Sequence, residues 1–285
     1  MPETPGILYL VATPLGNLED ITYRAVRVLR EVDLVAAEDT RHTLKLLNYF
    51  QIKKSLISYF QHNEYERAEL VLQKLQAGSN VALVSDAGMP GISDPGNYLV
   101  VVALKAGIKV VPIPGASAVV TALAASGLDT TSFCFEGFLP RKHGEQRLRL
   151  EKIKNYSGSL VFYEAPHRLL RTLEVLQEFL GDRQTVLARE MTKIHEEFLR
   201  GSLSELRANA LQLKPRGEYT IIVAGKEITA DQEEKVAPVE FDFAQLEQEG
   251  KSLRAELRKV SKQTGMSTKE LYQMYLEKRD NKKRE

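Results

Sequence analysis

Residues 81–96 read VALVSDAGMPGISDPG, a short apolar run followed directly by a loop that holds three glycines and two prolines. The run VALVS is rich in apolar and β-branched residues and predicts a buried strand. The loop leaves main-chain amides uncovered, because glycine has no Cβ and proline holds the chain in a turn. We interpret this segment as a strand whose carboxyl end carries a ligand-binding loop.

The alternation of strand-like and helix-like segments extends on both sides of this stretch. The runs ILYLVA, DLVAAED and KVVPIP alternate with the amphipathic stretches ITYRAVRVLREV, TRHTLKLLNYF and ASAVVTALAAS. Such alternation predicts an α/β fold with a largely parallel sheet. A second cycle runs from FCFEGFLP through SLVFYEAP to EYTIIVAG. It predicts a second α/β domain, whose sheet is expected to be mixed.

The expected organisation is an N-terminal α/β domain over residues 1–127, a second α/β domain over 128–229 that closes the cleft, an acidic linker over 230–250 and a basic tail over 251–285. Residues 227–250 hold eight Asp/Glu against one Lys, whereas residues 251–285 hold 11 Lys/Arg against five Asp/Glu. Two amphipathic stretches flank TGMS in the tail and predict a small helix-turn-helix-like domain that binds RNA. A solvated helical hairpin is the alternative.

The composition is that of an ordinary globular protein, with 43% apolar and 27% charged residues and a net charge of +1 over 285 residues. The single cysteine, Cys134, excludes an intrachain disulfide, and no Cys/His cluster has zinc-ligand spacing. We therefore expect a cytoplasmic protein without a metal. The N-terminal stretch lacks the features of a signal peptide, and Lys105 and Lys109 interrupt the apolar stretch from Tyr98, so no membrane insertion is expected.

Two further loops, TPLGNLEDIT and PIPGASA, also follow predicted strands. The carboxyl ends of parallel strands line one crevice, so the three loops are expected to converge. Neither GxxxxGK[ST] nor GxGxxG occurs, which disfavours phosphate cradling. Asp86 is suited to a cationic group such as a sulfonium, and Gly115 and Ser117 at a helix start are suited to ligand oxygens. Simple capping of turns and helices is the alternative in each case.

The segment AAEDTRHT places Glu38, Asp39, Arg41 and His42 at the end of the second strand. Packing does not require these polar side chains, so we expect them to line the substrate side. The alternative is that Asp39 caps the next helix while Arg41 pairs with Glu38. The strings YEAPHR and ARE of the second half present the same choice between a site and structural ion pairs.

Taken in order, several strings resemble the tetrapyrrole-methylase superfamily and most closely the ribosomal RNA small subunit methyltransferase I family. They are TPLGNLEDITYRA, AAEDTRHT, ALVSDAG with ISDPG, VVPIPGASA, EGFLPRK, FYEAPHR and ARE, followed by the terminal helical pair. The resemblance covers nearly the whole chain. It implies S-adenosylmethionine bound between two α/β domains, a homodimer, and 2'-O-methylation of a cytidine ribose in the decoding region of small-subunit (16S) rRNA, either naked or in an assembled subunit.

The resemblance also implies which residues bind the cofactor, although Met89 stands where this branch is expected to carry a small polar residue. Methyl transfer is an in-line displacement, so the protein mainly aligns the nucleophile. A carboxylate that removes the ribose proton and an arginine that holds a phosphate would assist it, and we assign these roles to Asp39 and Arg41. The implied cofactor contacts are Leu15, Val84, Ser85, Asp86, Met89, Ser117, Ala118 and Glu164.

Two rival functions share parts of this pattern. A methyltransferase of corrin or porphyrin rings would carry the cofactor loops but is expected to lack a basic tail. A non-catalytic RNA- or DNA-binding regulator would keep the cofactor pocket without transferring a methyl group. The tail favours an RNA methyltransferase over the ring enzyme, and only an activity measurement separates it from the regulator.

Overall fold

A computed structural model describes residues 4–212, 217–227 and 268–281, together with Leu253, Leu257, Arg258 and Ser261. The chain divides into two compact units, Met1–Glu227 and Ile228–Glu285. The predicted linker, residues 230–250, and the TGMS turn lie outside the described residues. The division of the first unit at residue 127 and the role of the tail stay predictions.

The first sheet is wholly parallel, as its alternating sequence predicts. Its order is β3-β2-β4-β1-β5, and every neighbouring pair runs in the same direction. Parallel sheets are covered on both faces, which explains why all four residues of β4 are buried. The strands are β1 (Ile7–Val11), β2 (Leu34–Ala37), β3 (Ser55–Ser58), β4 (Val81–Val84) and β5 (Lys109–Ile113).

Helices cover the two faces of this sheet. Because side chains alternate along a strand, Val81 and Leu83 of β4 pack with α3 and α4, while Ala82 and Val84 pack with α1 and α2. The carboxyl end of β4 is thereby fixed between two cores. The helices of this part are α1 (Tyr23–Glu31), α2 (Thr40–Tyr49), α3 (Glu64–Gln76), α4 (Asn97–Lys105) and α5 (Ala118–Ser126).

The second sheet is mixed, as predicted. Its order is β6-β7-β10-β8-β9, in which only β6 and β7 are parallel and the other neighbours are antiparallel. The strands are β6 (Phe133–Phe138), β7 (Ser159–Glu164), β8 (Gln184–Arg189), β9 (Glu197–Ser202) and β10 (Tyr219–Val223).

Helix α5 connects the two sheets. It follows β5 of the first sheet, and its residues Val119, Ala122 and Leu123 pack on one face of the second sheet. The opposite face is covered by α6 (His143–Ile153), α7 (Leu169–Leu180) and α8 (Leu203–Gln212). The amino end of α5, which begins directly after the third loop, therefore lies between the two sheets.

The tail contains α9 (Thr268–Asn281), which agrees with the second helix predicted there. Leu271 of α9 is buried against Leu257, with Leu253 packed beside them. Across the described ranges, no helix combines the length and the apolar character needed to cross a bilayer.

Candidate active site

The three predicted loops converge, as the parallel sheet requires. Thr13 and Gly88 exchange two main-chain hydrogen bonds of 2.9 Å, and the buried Thr13 hydroxyl donates to the Ser85 carbonyl at 3.0 Å. A Cβ added to Gly88 would lie 3.4 Å from Leu15 Cδ2 and 3.7 Å from the Ala116 carbonyl oxygen. Gly88 is therefore the point at which all three loops meet.

Acidic side chains gather at the ends of β2 and β4. The Asp39 main-chain N–H donates to Asp86 Oδ1 at 3.1 Å, and the Asp86 N–H lies 3.4 Å from Glu38 Oε2. Burial raises the pKa of Glu38, and the neighbouring charges of Asp86 and Asp39 act in the same direction. The cluster is a site of crowded negative charge, which favours a cationic ligand.

Asp94 belongs to the same cluster, although the sequence singled it out only as one letter of ISDPG. Burial raises the pKa of Asp94 to about 7, the charges of Glu38 and Asp86 add to the shift, and a hydrogen bond from Ser85 opposes it. The signal available in the sequence was a second acidic residue in the same Gly/Pro loop as Asp86. The proximity of Asp94 to Glu38 could not be recognised in the sequence, because Glu38 follows the neighbouring strand β2.

Asp39 and Arg41 stand at the start of α2, both exposed. Asp39 is the N-cap of the helix, and its Oδ1 accepts the Arg41 N–H at 2.8 Å. Asp39 therefore caps α2, as the alternative interpretation expected. It does not remove Asp39 from the site, because its main chain is tied to Asp86 of the second loop.

The other predicted cofactor contacts lie on the three loops, except for Glu164. Val84 and Ser85 are buried at the end of β4, while Leu15 and Met89 are partly exposed. Ser117 is the N-cap of α5, yet within the described atoms its side chain makes no capping hydrogen bond. Ala118 begins the helix. Among the described atoms, capping by the Ser117 side chain is therefore not seen, and its contact with the cofactor stays a prediction.

Glu164 occupies a different environment from the one expected. Its side chain is fully buried, and its Oε2 accepts the Thr172 hydroxyl at 2.5 Å. Its Oε1 accepts the Ala165 N–H at 2.8 Å and lies 3.3 Å from Arg168 Nε. Both oxygens are thus engaged in the turn from β7 to α7, and the contact of Glu164 with the cofactor stays a prediction.

Loops of the two sheets also touch one another. A Cβ on Gly16 of the first loop would lie 2.5 Å from Lys193 Cγ, and a Cβ on Gly137 of β6 would lie 2.7 Å from Ser93 Oγ. Ser93 has a φ of 63°, and Glu190, which pairs with Lys193 at 2.9 Å, has a φ of 47°. Non-glycine residues with positive φ are often found at functional sites, and these two lie where loops of the two sheets touch. Among the side chains that the structure describes, no group of three or more His, Cys, Asp or Glu residues is placed to hold a metal ion.

Comparison with known proteins agrees with this architecture. The family model described as Tetrapyrrole (Corrin/Porphyrin) Methylases matches residues 7–207. A crystal structure of uroporphyrin-III C-methyltransferase from Thermus thermophilus, complexed with S-adenosylhomocysteine, is similar with a TM-score of 0.57. The identity is 21%, covering 77% of this chain and 97% of that chain, which concerns the fold alone. The fold and the matched residues are those of a tetrapyrrole methylase.

Two relatives narrow the class. The ribosomal RNA small subunit methyltransferase I of Synechocystis sp. is 48% identical over 280 residues, which is 95% of this chain and 98% of the relative. The protein of the same name from Thermotoga maritima is 50% identical over 222 residues, 78% of this chain and 100% of the relative. The chain therefore belongs to the ribosomal RNA small subunit methyltransferase I family of tetrapyrrole methylases, and it is a methyltransferase.

The raised pKa of Asp94 leads to a prediction about stability. A carboxyl whose pKa is higher in the folded than in the unfolded chain makes folding less favourable as pH rises from about 4 through 7. Asp94→Asn removes this ionisation, so the variant is expected to melt at a higher temperature than the wild type, with a gain that grows between pH 5 and pH 8. Differential scanning calorimetry without cofactor measures the gain.

Asp129→Asn is the matched control for Asp94→Asn. Hydrogen bonds from Thr131 lower the pKa of this exposed carboxyl, so its contribution to stability is lost only as pH falls through that lowered pKa. Its effect is therefore expected to be flat between pH 5 and pH 8. A gain in melting temperature for Asp94→Asn that does not change with pH would contradict the raised pKa of Asp94.

Proposed function

We propose that the protein transfers a methyl group from S-adenosylmethionine to the 2'-oxygen of a cytidine ribose in the decoding region of small-subunit rRNA. The main support for an rRNA substrate is the 48% identity, over 95% of this chain, with a relative named ribosomal RNA small subunit methyltransferase I. The assignment of a cytidine ribose as the methyl acceptor rests on the resemblance of the sequence motifs. The convergence of the three loops at Gly88 supports a single cofactor site.

The residues at the convergence fit S-adenosylmethionine. The cofactor carries a sulfonium and an α-ammonium, and the crowded carboxylates of Glu38, Asp86 and Asp94 offer complementary charge. At the start of α5, the Ser117 hydroxyl and the Ala118 amide offer donors to its carboxylate or ribose oxygens, whereas the Val119 main chain is already hydrogen bonded to Tyr163. Leu15 and Met89 offer apolar contact. The bound cofactor supplies an activated methyl group.

The protein's own residues have to align the ribose hydroxyl and assist its deprotonation. Asp39 is the carboxylate placed at the start of α2 beside the second loop, so we assign to it the removal of the proton from the attacking oxygen. Arg41 is exposed two residues further and holds an adjoining phosphate of the RNA. The contacts of Gly16 with Lys193 and of Gly137 with Ser93 close the cleft around the cofactor and limit access of water.

Transfer of label from methyl-labelled S-adenosylmethionine tests this function. Small subunits and naked small-subunit rRNA from a strain without the enzyme serve as the two substrates, and the methylated nucleotide is then mapped. Label on the 2'-oxygen of one cytidine is the expected result. Cofactor binding without any label would indicate the regulator instead, and label in a porphyrin or corrin substrate alone would indicate the ring enzyme.

The role of Asp39 is tested with a variant that keeps the helix cap. Asn accepts the same main-chain N–H but cannot take a proton, so Asp39→Asn is expected to lower kcat about 100-fold or more with little change in melting temperature. Initial rates on small subunits measure the loss. If Asp39→Asn and Asp39→Ala keep wild-type turnover, the base assignment is wrong.

We also propose, as the resemblance implies, that the protein works in the cytoplasm as a homodimer and that its basic tail adds RNA affinity. The surplus of Lys and Arg over residues 251–285 supports RNA affinity through counterion release. Sedimentation velocity of the full chain distinguishes the monomer from the dimer.

A further inference from the structure

Strand β6 carries an irregularity that changes which of its side chains lie on the α5 side of the second sheet. Its pairing with β7 shifts register between Phe135 and Gly137, and Gly137 has a φ of 61°. In a regular strand, residues 135 and 138 would lie on opposite faces. The inserted residue brings them to the same face, since an extra residue in a strand offsets the alternation by one.

Contacts on either side of β6 confirm this change of face. Cys134 packs against the core that contains Leu150 of α6, and the Glu136 carboxylate binds Arg149 of the same helix. On the other face, the rings of Phe135 and Phe138 both approach the ring of Tyr163, with centroid distances of 4.9 Å and 5.6 Å.

The ring of Tyr163 connects this aromatic group to the cofactor loops. Its hydroxyl is hydrogen bonded to the main chain of Val119, in the first turn of α5. Burial raises the pKa of Tyr163 to about 12, and the charge of Asp94 adds to the shift. The second loop reaches β6 at Ser93, whose Oγ lies 2.7 Å from the position of a Cβ on Gly137. Phe138 is therefore separated from the cofactor loops by a single ring. Nevertheless 49% of its surface is exposed.

The loop after Phe138 is held by a hydrogen bond from Arg168 and carries exposed basic side chains. Leu139 is buried, and Arg168 Nη2 donates to its carbonyl at 2.6 Å, so the chain is anchored immediately beyond the ring. Arg141 is exposed, and Lys142 is 82% exposed with only a surface ion pair to Glu145. Surface pairs of this kind contribute little free energy, so the lysine remains available to a phosphate.

We propose that Phe138 is a stacking platform for a base of the single-stranded rRNA segment that enters the cleft, and that Arg141 and Lys142 bind the adjoining phosphates. This inference rests on the proposed rRNA substrate and adds a binding surface in the first unit to the basic tail. An exposed aromatic ring beside basic side chains is the arrangement by which proteins hold unpaired nucleotides.

The charge distribution favours RNA over the cofactor at this surface. S-adenosylmethionine carries a sulfonium and no phosphate, so it is suited to the carboxylates of Glu38 and Asp94 rather than to Arg141 and Lys142.

Kinetics on small subunits test the proposal. Phe138→Ala is expected to raise KM or lower kcat/KM about 10-fold, the effect of losing one stacked base, while Phe138→Tyr stays close to wild type. Phe133→Ala is the matched control, because Phe133 lies at the opposite end of β6 and is 42% exposed.

Arg141→Ala is expected to weaken binding of small subunits to the protein. It is also expected to reduce the salt dependence of that binding by about one phosphate contact.

Cofactor affinity and oligomeric state, measured by calorimetry and sedimentation on the same variants, decide what the ring contacts. Wild-type cofactor affinity and oligomeric state in Phe138→Ala, together with its lower kcat/KM on small subunits, support the proposal. An equal loss of S-adenosylmethionine affinity would assign the ring to the cofactor, and a change of oligomeric state would assign it to a subunit contact. If the wild type is active and Phe138→Ala and Phe133→Ala have equal rates, the stacking role of Phe138 is wrong while the proposed function stands. If the wild type does not methylate small subunits, the proposed function is wrong as well.

Discussion

Gly88→Val is expected to abolish binding of S-adenosylmethionine while the protein remains folded. Gly88 has a φ of 81° and lies where the three loops meet, with Leu15 and the Ala116 carbonyl close to the position of an added Cβ. A branched side chain there would occupy the space into which the loops direct their amides and carboxylates. Isothermal titration calorimetry with the cofactor measures the loss.

The control for Gly88→Val is Gly107→Val, which imposes a similar backbone strain outside the site. Gly107 has a φ of 72°, and among the described atoms nothing lies within 4 Å of an added Cβ. Each substitution is expected to reduce the free energy of unfolding by about 1 to 2 kcal/mol, because left-handed backbone disfavours a side chain. Wild-type cofactor affinity in Gly88→Val would show that the convergence of the loops is not the cofactor site.

The fold was largely predictable because its signals are local. The two central runs LVAA and VALV are buried on both faces, so a run such as VALV predicts a central parallel strand without knowledge of its neighbours. The convergence of the three loops follows from the same geometry, since parallel strands end at one edge. The order of the strands is not a local property, and nothing in the individual runs determines that β4 lies between β1 and β2.

The parts of the site that the sequence missed depend on contacts between distant residues. Asp94 acquires its raised pKa from burial and from Glu38, which lies 56 residues earlier on another strand. Phe138 lies on the same face of the sheet as Phe135 and Tyr163 only because a bulge alters the alternation of β6, where Ser93 of the second loop lies against Gly137. Neither the bulge nor the loop that approaches it can be recognised from FCFEGF alone.

Glu164 shows the opposite problem, a residue whose motif pointed to the cofactor while its surroundings point to stability. Removal of the carboxylate by Glu164→Ala leaves the buried Thr172 hydroxyl without its acceptor and Arg168 without its counter-ion. Loss of one partner from a fully buried ion pair destabilises a protein by about 3 to 5 kcal/mol, and the 22% exposure of the Arg168 side chain places this loss toward the lower end. We therefore expect the largest fall in the free energy of unfolding of any substitution considered for this protein, measured by denaturant titration.

Glu174→Ala on α7 is the matched control for Glu164→Ala, since Glu174 also pairs with an arginine, Arg207, at 2.9 Å but is 55% exposed. Its loss is expected to stay below about 1 kcal/mol, because water screens an exposed pair. Cofactor affinity, measured where both variants remain folded, separates the two roles of Glu164. A stable Glu164→Ala protein that binds S-adenosylmethionine weakly would make the carboxylate a cofactor contact. A destabilised protein with wild-type affinity would make it the anchor of the turn that positions α7.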